Sequence, residues 1–287
     1  MEIEKIIKSK LSEIEEKLNV KVLYAVESGS RAWGFASDDS DYDVRFIYAR
    51  PLEDYLKLEK IRDVIDYELN DIYDINGWDL KKFLTLLHDS NPVIFEWAQS
   101  PIVYKSTDDW NKISSIINEF AQLKKLLHHY LSMAVYTYKT HFKSEEVSYK
   151  KYFYVLRALL CCQWILKKNS IPPILFDDLV KELFPEQLKP TLDKLFEIKK
   201  SSSEKKEGKR FPELDDFIER SFVEIENEVA NFQNYEKHSF EKLDKVFLEV
   251  LMGEWFYVVG NRWGRQYVVP SSLQKRGFSS KMLMMKN

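Results

Sequence analysis

Ile3, Ile6, Ile7, Leu11, Ile14 and Leu18 recur at three- and four-residue intervals with Glu and Lys between them, which predicts an amphipathic helix ending near Asn19. The β-branched run 20–26, VKVLYAV, is short enough for a buried strand and stops at Glu27, Ser28 and Gly29. After the Gly-Ser turn, Asp41, Asp43 and Arg45 alternate with Tyr42, Val44 and Phe46, predicting a second strand whose polar face lies at its start. A third strand is expected within 71–78. From Leu80 the spacing Leu80, Phe83, Leu84, Leu87 becomes helical.

Beyond Thr107 strand signals nearly vanish, and the periodic segments 110–121, 126–141 and 150–168 predict long helices. The order is that of an α+β chain, divided into a mixed domain over 1–107 and a helical domain over 108–252. The run 199–210, KKSSSEKKEGKR, reads as a polar, basic loop between two helices. Over 253–287 the pattern changes again, with segments 255–259 and 265–269 forming two short strands around a Gly-bounded turn before a basic, methionine-rich tail.

Composition narrows the classes. With 287 residues the chain is long for one compact core, so two domains in close contact are expected. Only 8 Gly and 9 Pro favour many helices over an all-β sandwich. A formal net charge of -3 confines any nucleic-acid site to a local basic groove. The two cysteines, Cys161 and Cys162, are adjacent, which suits neither an ordinary disulfide nor a zinc site and reads as reduced, buried thiols of a cytosolic protein. The N-terminus lacks an apolar signal core and no run approaches the roughly 18 apolar residues of a membrane span, so secretion and membrane insertion are disfavoured.

Candidate chemistry concentrates in 27–48, ESGSRAWGFASDDSDYDVRFIY. A Gly29-Ser30 turn after a strand presents backbone N–H groups that can cradle phosphates, and it also reads as an ordinary strand-to-helix turn. Asp41 and Asp43, two apart on a strand, project to one side, where two carboxylates repel unless a cation joins them. Hard divalent ions prefer such oxygen ligands. The alternative is a solvated strand edge.

Gly29-Ser30, Gly34 and Ser40-Asp41-x-Asp43 together resemble the signature of the DNA polymerase β-type nucleotidyltransferase superfamily. SGSRAWGFASDDSDYDVRFIYARPLEDYL, INGWDLKKFL, SNPVIFEWAQSPIVY and YKKYFYVLRALL resemble one branch of it, the RNA-ligase-associated predicted nucleotidyltransferases, over roughly 20–250. The resemblance implies a small mixed sheet with flanking helices carrying the active site, followed by a helical domain that closes a nucleotide cleft. It implies that Gly29 and Ser30 hold the β- and γ-phosphates of an NTP and that Asp41 and Asp43 bind magnesium or manganese ions. A third carboxylate on a neighbouring strand is implied as well. Asp79, in the better-matching string, is preferred to Asp74, although Asp79 also reads as a helix N-cap before Leu80.

Arg31, directly after the turn, is a phosphate candidate, whereas Arg45 shares the face of Asp43 and reads as a neutralising partner. Lys150, Tyr154 and Arg157 fall near one helical face, where cations could grip the triphosphate and the Tyr154 ring could stack on a base, or where they decorate a core stripe of Phe153, Leu156 and Leu160. The expected activity is transfer of an NMP from an NTP to a hydroxyl, preferably an RNA end. A functional link to an RNA ligase is implied, and a protein or small-molecule acceptor or a non-catalytic nucleotide-binding module are the alternatives.

Overall fold

The computed structural model describes residues 2–37, 39–200, 207–232 and 238–252, and the backbone of 256–260 and 266–270. Helix α1 (Glu2–Leu18) ends where Asn19 adopts a left-handed φ of 49°, and β1 (Lys21–Glu27) follows. A one-and-a-half-turn helix, α2 (Gly29–Trp33), leads to β2 (Tyr42–Ala49), the short α3 (Leu52–Tyr55), β3 (Val64–Leu69) and β4 (Tyr73–Asp79). Then come α4 (Leu80–His88), α5 (Pro92–Ala98) and β5 (Val103–Ser106). The five strands form one sheet in the order β3-β4-β2-β1-β5. All neighbours are antiparallel except β2 and β4, which run parallel with Asp43 opposite Asp74. The expected α+β class with a mixed sheet is what the structure has, and β3 and β5 extend the three strands expected from sequence.

Alternation along the strands sends side chains to two different cores. Val44, Phe46, Tyr48 and Ile75 face Ile7, Leu11 and Ile14 of α1. Leu23, Val26 and Ile47 face the opposite side and join Leu80, Phe83 and Leu87 of α4. Because Asp43 and Arg45 alternate with Val44 and Phe46, they share the face of Ile47, the side on which the helices pack.

Helices α6 (Asp108–Ile117) and α7 (Leu123–His141) open the second half, with a Thr107 hydroxyl capping α6 through the Trp110 N–H at 3.3 Å. Next are β6 (Glu146–Ser148), α8 (Tyr149–Lys168), α9 (Phe176–Leu183), α10 (Lys189–Lys200), β7 (Glu207–Lys209), α11 (Pro212–Val229) and α12 (Glu241–Met252). Helix α8 is central, packed by α7, α9 and α11. Of the expected basic loop over 199–210, residues 201–206 lie outside the described residues and Glu207–Lys209 pair with β6 as a two-stranded ladder. At the C-terminus β8 (Phe256–Gly260) and β9 (Gln266–Pro270) pair antiparallel, and the tail beyond Pro270 lies outside the described residues.

No break in packing separates 1–107 from the helices. One apolar cluster runs from Leu23 and Ile47 through Phe83, Trp110 and Leu126 to Leu156, Ile218 and Val246. Two aromatic residues next to the Gly-Ser turn make the join tight. Phe35 stacks on Phe153 at 5.1 Å and meets Phe176 edge-on at 5.6 Å, and Trp33 meets Tyr154 edge-on at 5.3 Å. The carbonyl of Phe35 accepts a 2.6 Å hydrogen bond from the buried Lys199 ammonium of α10.

Candidate active site

The site is built at the starts of β2 and β4. The Ser28 N–H donates to the Asp43 carbonyl at 2.8 Å, which ties the end of β1 to β2 just before the turn. Gly29 then takes a φ of +59°, a left-handed conformation that favours glycine. Space enforces the same choice, because a Cβ on Gly29 would lie 2.1 Å from Oδ2 of Asp43. The turn and the second acid are therefore in direct contact. Gly34, at φ +90°, closes α2 with its N–H on the carbonyls of Ser30 and Arg31.

The loop from 35 to 41 is tied by a Ser37–Ser40 hydroxyl contact of 3.1 Å. Asp41 lies one residue before β2 begins, and its carbonyl accepts from Arg31 Nε at 3.1 Å. A second Arg31 nitrogen donates to the Ser40 carbonyl at 2.5 Å, and the guanidinium covers the Tyr42 ring at 4.0 Å. Arg31 thus fastens the loop that carries Asp41.

Parallel pairing of β2 with β4 sets Asp74 directly opposite Asp43. Arg45 bridges the pair, with one guanidinium nitrogen 3.0 Å from Asp43 Oδ1 and 2.6 Å from Asp74 Oδ2. Burial raises the Asp43 carboxyl above its ordinary range. Arg45 opposes that rise, Asp41 and Asp74 add to it, and Lys150 opposes it. Three carboxylates and two cations therefore act on one another here.

Asp79 is not brought to this cluster. It lies five residues beyond Asp74, about 16 Å along a strand and on the opposite face because five is odd. Its carboxylate caps α4 through the Lys81 N–H at 2.8 Å and accepts from the Tyr55 hydroxyl at 3.0 Å. Of the two acids expected as the third carboxylate, the structure thus sets Asp74 beside Asp43 and Asp79 away from it.

From α8, Lys150 and Tyr154 reach the site side, with the Lys150 ammonium 5.7 Å from the Tyr154 ring centre. Arg157 does not. It is 1% exposed, ion-paired to Glu96 at 2.9 Å, and laid over the Trp33 ring at 4.4 Å. The expected phosphate role of Arg157 is replaced by that of a buried brace, because α8 is buried on all sides over 155–163.

One residue was passed over in the sequence. Glu27, 0% exposed, accepts the Asp43 N–H at 2.8 Å and the Tyr104 hydroxyl. Burial pushes its carboxyl up to about 7 against the opposing hydrogen bonds. An acid ending an otherwise apolar strand, one residue before a Gly-Ser turn, was its only signal.

Asp41, Asp43 and Asp74 offer only oxygen donors, the chemistry that hard divalent cations prefer, and the Arg45 guanidinium now joins two of them. The donor chemistry fits. Among the described residues, no three His, Cys, Asp or Glu side chains are already gathered as metal ligands. Among them, too, no helix is long and apolar enough to cross a membrane.

Comparison with known proteins agrees with the signature. The chain is 40% identical over 247 residues to the uncharacterized protein YcgL of Bacillus subtilis (strain 168), covering 85% of this chain and 95% of that protein. A crystal structure of a nucleotidyltransferase-like protein from Exiguobacterium sibiricum 255-15 aligns at 14% identity with a TM-score of 0.29, covering 92% of this chain and 99% of that one. Residues 3–249 match the RlaP family, described as the RNA repair pathway DNA polymerase beta family. With nearly the whole folded length matched, and a Gly-Ser turn wedged against its acid, the chain belongs to the RNA repair pathway DNA polymerase beta family.

Proposed function

We propose that the protein is a metal-dependent nucleotidyltransferase that moves an NMP from an NTP to a hydroxyl acceptor and releases pyrophosphate. The observation that carries this reading is the contact of Gly29 with Asp43, which sets a phosphate-cradling turn against an acid flanked by Asp41 and Asp74. The backbone N–H groups of Gly29-Ser30 bind the β- and γ-phosphates, Lys150 pairs with the triphosphate, and Tyr154 flanks the base. Asp41, Asp43 and Asp74 would hold magnesium or manganese, which when bound neutralises charge at the α-phosphate and the departing pyrophosphate. Asp74 also takes the proton of the attacking hydroxyl as its oxygen bonds to the α-phosphorus and the bond to the pyrophosphate oxygen breaks. Arg45 keeps the acids paired until substrate arrives.

The preferred acceptor is an RNA end, in keeping with the family's RNA repair description, and work beside an RNA ligase is the physiological setting we favour. Free, buried Cys161 and Cys162 support a reducing, cytoplasmic setting. The test is label transfer from each α-labelled NTP with magnesium or manganese, with and without small RNA, against an Asp41→Ala, Asp43→Ala control. Metal-dependent, ribonuclease-sensitive label absent from the control is the expected result. Protease-sensitive label would move the acceptor to protein, and nucleotide binding without any transfer to RNA or protein would overturn the reading.

A further inference from the structure

A second charged concavity lies away from the acids, between α3, the loop 56–63 and the start of α4. It encloses about 490 Å³. Arg50, Lys57, Lys60, Arg62, Lys81 and Lys82 line it, a concentration of positive charge on a chain whose net charge is -3. Asp54, Glu59, Asp63 and Asp79 also lie on its walls and leave the cations in excess. Lys57 pairs with Asp54 at 2.6 Å, Lys82 with Asp63 at 3.3 Å, and Arg62 with Asp66. Lys60 and Lys81 are exposed, and among the described residues neither makes an ion pair.

Arg50 adds a fixed charge to the wall of the cavity. Its side chain is mostly buried, with Nε 3.8 Å from Oδ2 of Asp79 and shielded from solvent. Its other end donates to the Arg62 carbonyl at 3.2 Å, so the guanidinium is held in place. Asp79 spends its carboxylate on the α4 cap and on Tyr55. The Tyr55 ring is itself taken up by an edge-on contact with Phe247 at 5.3 Å. Positive charge is therefore on offer here and, among the lining residues described, no free aromatic face is, which selects a phosphate over a nucleobase.

We propose that this cavity is a second anion site, separate from the acid cluster, that takes a phosphate group carried either by an RNA strand or by a free nucleotide or inorganic phosphate. It stands whether or not the chain transfers nucleotides. Lys60 and Lys81 supply the mobile charge and Arg50 a fixed charge on the wall.

The test is lysine acetylation footprinting of the full chain, read by mass spectrometry, with a mixed-sequence 12-nucleotide single-stranded RNA, with ATP, and with inorganic phosphate, each without added metal. Protection of Lys60 and Lys81 is expected, by RNA alone if the ligand is a strand and by all three if it is free phosphate. A companion variant, Lys60→Glu with Lys81→Glu, changes two exposed side chains and should fold. It should bind the protecting ligand at least tenfold more weakly, with a shallower dependence of log affinity on log salt. Absence of protection by all three probes, or equal affinity in the variant, would overturn the site. Label transfer measured on the same protein with magnesium or manganese added keeps the questions apart, since protection without transfer removes the enzymatic reading and leaves this one.

Discussion

Gly29 admits no other residue without a double penalty, a left-handed φ and a collision with Asp43. Gly29→Ala should lose about 2 kcal/mol or more of stability in urea titrations and lose nucleotide transfer with it. Beneath it, Glu27 writes a pH signature. Its carboxyl sits at about 7 in the folded chain against an ordinary 4.5, so the folded state holds the proton more tightly than the unfolded one. Stability is accordingly greatest below pH 4.5 and declines by about 3 kcal/mol from this group as pH rises through 7. Glu27→Gln can still accept the Asp43 N–H, so thermal melts of that variant should lack this decline and exceed wild type at pH 8. Arg45 predicts a third effect. Arg45→Met leaves Asp43 and Asp74 without the cation that now joins them, so magnesium or manganese should raise its Tm by more than that of wild type.

At the scale of elements, two residues of α8 that share one spacing pattern should behave oppositely. Arg157→Met strands Glu96 inside the packing and should cost about 3–5 kcal/mol in chemical denaturation. Lys150→Ala should leave the melting midpoint within a degree or two and raise the KM for NTP. Sequence periodicity could not separate them, because an i, i+3, i+4 row marks a solvent face only on a surface helix. Helix α8 has partners on nearly every side. The same limit governed Asp74 and Asp79. Local pattern found β2 and β4 to within two residues, yet which strand lies beside β2, and in which direction, depends on pairing across the sheet. Strands β3 and β5 escaped notice because VIDYEL is an edge strand with mixed exposure and VYKS has only four residues. The turn and its acids were legible because a tight turn through a left-handed glycine dictates its residues locally.

For the molecule as a whole, one apolar cluster is shared by the sheet and the helices. Calorimetry should show one transition, and a fragment of residues 1–107, left with the faces of Ile47, Phe83 and Phe35 uncovered, should not fold alone. The hydrogen bond from Lys199 to Phe35 also sets an order of events during synthesis. The loop carrying Asp41 is translated early, but Lys199 emerges 164 residues after Phe35. At typical elongation rates this is a delay of roughly 8–30 seconds. A growing chain on the ribosome thus carries Asp41, Asp43 and Asp74 long before this clasp on the preceding loop can form, and a transcript truncated ahead of residue 199 would yield the acids without the clasp.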